Sequence, residues 1–297
     1  MRKGFFLMIL FAFSCLNETK TLRSSTGLYS EIIFVVDDSY WQEINKSVFK
    51  VFSSNILGIN QIEPEYRVIQ INKQEFNSIF QTHKNIVFVD SNLVEHVQTD
   101  KWAAPQIVFQ LNLEKEKHKA LEKLKKTKKI FEINELKSIR NNTLKGSNKN
   151  AEAIIREKFN IDVVVPKEYT IVQDTTSFVW AAYNPPNIEE IKHIFVFSFN
   201  INPSNLSEDV LTKTDSIFAT YLLGRPKGSY VKIEPIYPPV IDQGIYRGLW
   251  KLENGFMGGP FLIKTYSFDE KMIVAVGLVF APQKEKRNYI KVLEAIL

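Results

Sequence analysis

Two periodicities alternate along the chain. Residues 31–36 (EIIFVV) form a continuous apolar run rich in β-branched side chains, the mark of a buried strand. Asp38-Ser39 then precedes Trp41, Ile44, Val48, Val51 and Phe52 at helical spacing, so an amphipathic helix follows. Residues 66–71 alternate as a strand, and a short helix capped at Asn72 carries Phe76, Ile79 and Phe80. Residues 85–89 and 106–112 read as two further buried strands. Strand and helix in alternation predict layered α/β packing for residues 30–145. Within it, residues 114–140 are the most charged stretch, a long helix whose Leu121, Leu124, Phe131 and Leu136 make an incomplete apolar stripe among lysines. Its basic face has two readings: a solvated surface supported by Glu–Lys pairs, or a contact for anionic lipid or glycan.

Residues 141–150 (NNTLKGSNKN) are the strongest break in the chain and open a second half, 146–297. There the pattern predicts a helix near 149–159, strands over 169–173, 178–183 and 192–200, and a helix running to about Leu223. Four β-rich segments follow near 229–236, 244–252, 257–266 and 272–280, and a last helix over 284–296 turns Tyr289, Ile290, Leu293 and Ile296 inward. The expected fold class is α+β: one mixed, largely antiparallel sheet system with helices packed on it. Its two halves share enough of their order of elements to leave a distant duplication open.

The N-terminus follows a different logic. Met1-Arg2-Lys3-Gly4 is basic, residues 5–13 (FFLMILFAF) are uncharged and apolar, and Ser14-Cys15 follow. Such a run is too short to span a bilayer and matches a secretory signal peptide over 1–14. A cysteine directly after the run resembles the lipobox of bacterial lipoproteins, which implies lipidation of Cys15. Ala12 and Phe13 depart from that signal, which usually has Leu and a smaller residue there. Cleavage before Cys15 removes 14 of 297 residues and, with Arg2 and Lys3, takes the formal charge from +5 to +3. Polar residues 15–29 then read as a tether. The expected location is the cell envelope, lipid-anchored, on the periplasmic side of the outer membrane. Neither membrane retention signals nor surface-export signals follow Cys15.

Composition narrows the chemistry. The chain is 44% hydrophobic and 24% charged with 12 Gly and 12 Pro, which excludes collagen-like and disordered classes. One cysteine excludes a disulfide framework, and its place at the lipidation point removes it as a nucleophile. A charge of +3 is too mild to imply nucleic acid. His83, His96, His118 and His193 share no ligand spacing, so no metal is expected, and no phosphate-loop, dinucleotide or nucleophile-elbow motif occurs. No catalytic residue or cofactor is assigned. Paired carboxylates, as in a glycosidase, are the remaining catalytic route, with Asp37, Asp38, Glu63, Glu65, Asp215, Glu234, Asp242 and Glu253 as its acids.

The informative cluster lies near the C-terminus. Arg247-Gly-Leu-Trp250 leads into Asn254-Gly-Phe256-Met257-Gly258-Gly259-Pro-Phe261, and glycines this dense in a β pattern need a packing or binding reason. Arg247, Trp250, Phe256, Met257, Gly258 and Gly259 form either a ligand or partner surface or a tight hairpin closing the core. With Ala281-Pro282, Lys286-Arg287, Leu293-Glu-Ala-Ile296, Gly228-Ser-Tyr230, Thr26-Gly27, Trp41 and Glu63-Pro64, this cluster resembles an uncharacterised lipoprotein family of Bacteroidetes, the domain-of-unknown-function 4837 family. The resemblance extends over nearly the whole mature chain. It implies a lipidated envelope protein and no activity. The leading expectation is a non-enzymatic binding or assembly component that meets an envelope protein complex or glycan. The alternative is a cell-wall or polysaccharide hydrolase using two carboxylates.

Overall fold

The computed structural model describes residues 21–114, 117–201, 205–268 and 270–297. The signal segment 1–14 and Cys15 lie outside the described residues. The first half runs β1 (Arg23–Ser24), β2 (Glu31–Val35), α1 (Asp38–Phe52), β3 (Arg67–Ile71), α2 (Ser78–Gln81), β4 (Asn85–Val89), β5 (His96–Thr99), β6 (Ala103–Ala104), β7 (Ile107–Leu111) and α3 (Ala120–Lys145). Its main sheet has the order β3-β2-β4-β7-β5, parallel except for the antiparallel edge strand β5. Parallel strands are buried on both faces, so EIIFV and NIVFV must be apolar without alternation. Val48, Phe52, Leu124 and Phe131 bring α1 and α3 onto one face, while Phe76, Phe80 and Trp102 cover the other.

The second half runs α4 (Lys149–Phe159), β8 (Thr170–Asp174), β9 (Phe178–Tyr183), β10 (Ile191–Asn200), α5 (Leu206–Tyr221), β11 (Tyr230–Ile233), β12 (Val240–Asp242), β13 (Ile245–Glu253), β14 (Gly258–Phe268), β15 (Lys271–Phe280) and α6 (Arg287–Ile296). The strands form one antiparallel sheet, β11-β13-β14-β15-β10-β9-β8, with β12 also on β13. Alternate residues of β10 face opposite ways. Ile194 and Val196 meet α4 and α6, while Phe195 and Phe197 join the core that α5 covers. The fold is α+β.

Four features differ from the sequence reading. The sheet system is two separate large sheets. One is mostly parallel, with helices α1 and α2 in its first two crossovers, and the other antiparallel, built largely through hairpins, so the halves are not copies of one unit. Helix α2 is capped by Asn77, whose Oδ1 accepts from the Ile79 amide at 3.0 Å, because Asn72 spends its side chain on the Gln74 amide in a turn. Helix α3 continues through Asn141 and Asn142 to Lys145, and the break falls at Gly146. Its buried stripe is Leu124, Thr127, Phe131, Glu135 and Ile139, since steps of three and four residues keep that set on one face. The expected tether is bonded to the body from Arg23 onward, where β1 pairs with β6 and the Thr26 amide donates to the Thr82 carbonyl at 2.8 Å.

The two halves meet along α3 and α6. Lys291 of α6 lies 2.5 Å from Glu135 of α3, and Arg140 donates to the carbonyls of Ala295 (2.9 Å) and Asp162 (2.7 Å). The loop before β3 reaches across as well. Both oxygens of Glu63 accept from the backbone amides that open α6, Lys286 and Arg287, each at 2.8 Å. A carboxylate at a helix N-terminus satisfies otherwise orphan donors and complements the helix dipole.

Candidate functional site

The β13–β14 hairpin divides the cluster singled out in the sequence. Arg247 and Trp250 are three residues apart in one strand, so their side chains leave opposite faces of the sheet. Trp250 is 3% exposed, and its indole Nε1 donates to the Val279 carbonyl at 3.1 Å. It reaches that carbonyl across β14 at Gly259. A Cβ at position 259 would stand 2.1 Å from the Val279 oxygen and 3.1 Å from the indole nitrogen, so only glycine fits. Met257 is partly buried against the same core. Gly258 lies close to the Trp250 carbonyl, and Phe256 projects wholly into solvent from the hairpin tip.

On the other face, Arg247 ion-pairs with Glu294 of α6 at 3.0 Å and is largely buried. Its backbone supports the first half directly. Gly58, at φ +81°, packs so closely that a Cβ would lie 2.3 Å from the Arg247 carbonyl oxygen. The 53–65 loop therefore sits on the hairpin and separates two concavities. One is a groove of about 350 Å³ lined by Ile59, Tyr237, Trp250, Phe256, Pro260 and Pro282. The other is a charged cleft of about 250 Å³ between the halves, lined by Leu57, Glu132, Arg247, Arg287, Lys291 and Glu294. Of the six residues singled out, Trp250, Phe256, Gly258 and Gly259 line the groove and Arg247 lines the cleft.

Large apolar side chains stand exposed on the loops beside the groove. Phe256 is fully exposed, Ile62 87%, Ile236 72% and Tyr237 49% exposed. They come from three loops, 53–65, 234–239 and 254–257, which flank the groove.

The carboxylates have structural partners. Asp37 and Asp90 share Lys73, Asp38 accepts from Gln70, Asp215 accepts from the Ile233 amide at 2.5 Å, and Glu253 pairs with Lys232 at 2.8 Å. Glu234 accepts from the Ile236 amide at 3.0 Å, and Asp242 stands on the rim of the cleft. Glu65 and Glu132 also line that cleft and share Lys128, at 2.6 and 3.8 Å. Burial pushes the Glu132 carboxyl up, Lys128 pulls it back, and Glu65 raises it again. Among the described residues, no three His, Cys, Asp or Glu side chains are grouped to hold a metal ion.

Burial disfavours the charged form of two histidines. His193 accepts from the Trp180 indole at 3.1 Å through Nδ1, and burial lowers its pKa to about 4. His83 lies under Gly27, with Nδ1 3.2 Å from the Asn85 carbonyl oxygen, and burial lowers it too.

Sequence reasoning missed the seam. Glu135 is 4% exposed, accepts from the Ser30 amide (2.9 Å) and Asn85 Nδ2 (2.8 Å), and pairs with Lys291, whose ammonium lies 3.9 Å from the Tyr66 ring centroid. The signal was its place four residues after Phe131 on the apolar face of α3.

Residues 147–297 match the family model described as Domain of unknown function (DUF4837), and residues 25–145 match a separate one, Domain of unknown function (DUF8532). The first family thus covers the second half of the chain rather than nearly all of it. Thr26-Gly27, Trp41 and Glu63-Pro64 fall in the other match. No curated protein matches the chain.

Proposed function

The chain belongs to the domain of unknown function family DUF4837, and from that footing we propose that it is a lipid-anchored envelope protein whose C-terminal groove binds another envelope component without catalysing a reaction. Cys15 after a short apolar leader supports the anchor. No described helix is long and apolar enough to cross a membrane. The observation that carries the binding role is Phe256, fully exposed beside a groove lined by Trp250, Tyr237 and Pro260. Aromatic side chains are enriched among the few residues that dominate interfaces. Among such partners a protein face or a glycan ring both offer the apolar surface that stacks on aromatics.

A photo-crosslinking residue placed at 256 in the cell tests this. One discrete crosslinked species is expected at 256 and none at exposed Val172. A Phe256→Ala chain that captures the same partner equally well removes the groove. The absence of acyl groups on Cys15 by intact mass removes the anchor.

A second reading, a hydrolase using two carboxylates, rests on Glu65 and Glu132 sharing the inter-half cleft. It predicts release of new reducing ends from cell-wall glycan that Glu132→Gln abolishes. No release by the native protein removes it.

A further inference from the structure

We propose that the face where the chain joins the body, around β1 and β6, docks on an anionic bilayer surface; this deepens the anchored reading and rests on lipidation of Cys15. Arg23 is paired into the fold through Ala103. Seven residues separate it from Cys15, and the eight steps between the two span about 28 Å at full extension. Such a tether keeps Arg23 and the joining face within about 28 Å of the anchor.

That face has the chemistry a headgroup layer requires. Leu22, Leu28 and Ile79 are 38%, 59% and 75% exposed. Their segments are joined: the Thr26 amide donates to the Thr82 carbonyl, and the Thr82 hydroxyl, 3.0 Å from that of Thr26, donates to the Ile79 carbonyl at 3.1 Å. Four cations stand on the same or adjoining segments. Arg23 is exposed, Lys84 lies over the Tyr29 ring at 4.4 Å, Lys101 lies over Trp102 at 4.3 Å, and Lys137 shares a cavity of about 270 Å³ with Tyr29 and Lys84. Two acids on this face are held by the protein. Asp100 accepts from the Gln106 amide at 2.8 Å, and Glu31 is largely buried, accepting from the Leu28 amide and pairing with Arg67. Aliphatic side chains entering the headgroup boundary, ringed by lysine and arginine, are what a peripheral membrane contact is made of.

The test uses the full-length lipidated protein in vesicles of phosphatidylethanolamine and phosphatidylglycerol, with an environment-sensitive label on Ile79→Cys, Leu28→Cys or, as control, Val172→Cys. A quencher carried by the lipid is expected to dim the labels at 79 and 28 at least twofold and leave 172 unchanged. Arg23→Glu with Lys101→Glu, or vesicles lacking phosphatidylglycerol, is expected to halve that quenching. Labels at 79 and 28 that respond like 172 overturn the proposal, and quenching indifferent to both charge changes overturns its anionic part. Intact mass of each sample separates the two readings. An acylated chain without quenching removes the face and keeps the anchor. An unacylated chain that is still quenched keeps the face and removes the anchor.

Discussion

Lys291 and Glu135 form a buried ion pair between the two halves, 2.5 Å apart, with side chains 13% and 3% exposed. Glu135 also accepts from Ser30 and Asn85, so its charge is fully engaged. A buried pair of this kind is costly to break from one side, because the remaining charge keeps its desolvation penalty. Lys291→Met is expected to lower unfolding stability by about 3–5 kcal/mol. Adding Glu135→Gln should restore much of that loss. Denaturant titration of the two single variants and the double variant checks it, and additive losses would mean the pair is not coupled.

The carboxylate of Glu63 opens α6 from the other half of the molecule. Glu63→Ala returns two backbone amides to an incompletely solvated site, an expected loss of about 1–2 kcal/mol. Because the bond crosses the seam, hydrogen exchange should quicken at the start of α6 and in the 53–65 loop, and stay unchanged in β8 and β9.

Gly259→Ala places a methyl group where the Val279 oxygen and the Trp250 indole already lie. Forced overpacking of this kind costs roughly 1–3 kcal/mol. The melting temperature should fall, and the near-ultraviolet aromatic signal should change with the displaced indole. Phe256→Ser, at a fully exposed tip, should leave the melting temperature within about a degree, consistent with the small effect of surface substitutions.

The pH dependence follows from His193. Burial lowers it from an ordinary 6.5 to about 4, and protonating Nδ1 also breaks its bond to the Trp180 indole. Between those values the unfolded chain binds the proton and the folded chain does not. Its stabilising contribution is therefore complete above pH 6.5 and is lost as pH falls from 6.5 toward 4. The loss amounts to at most about 3 kcal/mol. Unfolding free energies measured across that window should fall less steeply in His193→Phe, and an equal slope would assign the acid sensitivity elsewhere.

The pattern of periods was enough to place most helices and strands, because a buried parallel strand, a half-buried antiparallel strand and an amphipathic helix impose different spacings on apolar residues. It missed β5, whose four residues are exposed at a sheet edge and carry no burial pattern. It extended the tether too far, because the bonds of Arg23 and Thr26 to Ala103, Ala104 and Thr82 are backbone pairings across distant sequence. It placed Arg247 and Trp250 in one cluster although an odd spacing inside a strand already separates their faces.

The sequence by itself determined the α+β class, the break near residue 146 and the dense glycines that mark the hairpin, since each is a local property of composition or spacing. Tertiary structure alone decided that Glu135 and Lys291 meet, that Glu63 opens a helix some 220 residues further along, and that Gly259 exists to let an indole cross a strand. Those are contacts between residues with no local relation. Charge pairing, helix capping and steric fit fix them only once each half has folded and the two meet along α3 and α6.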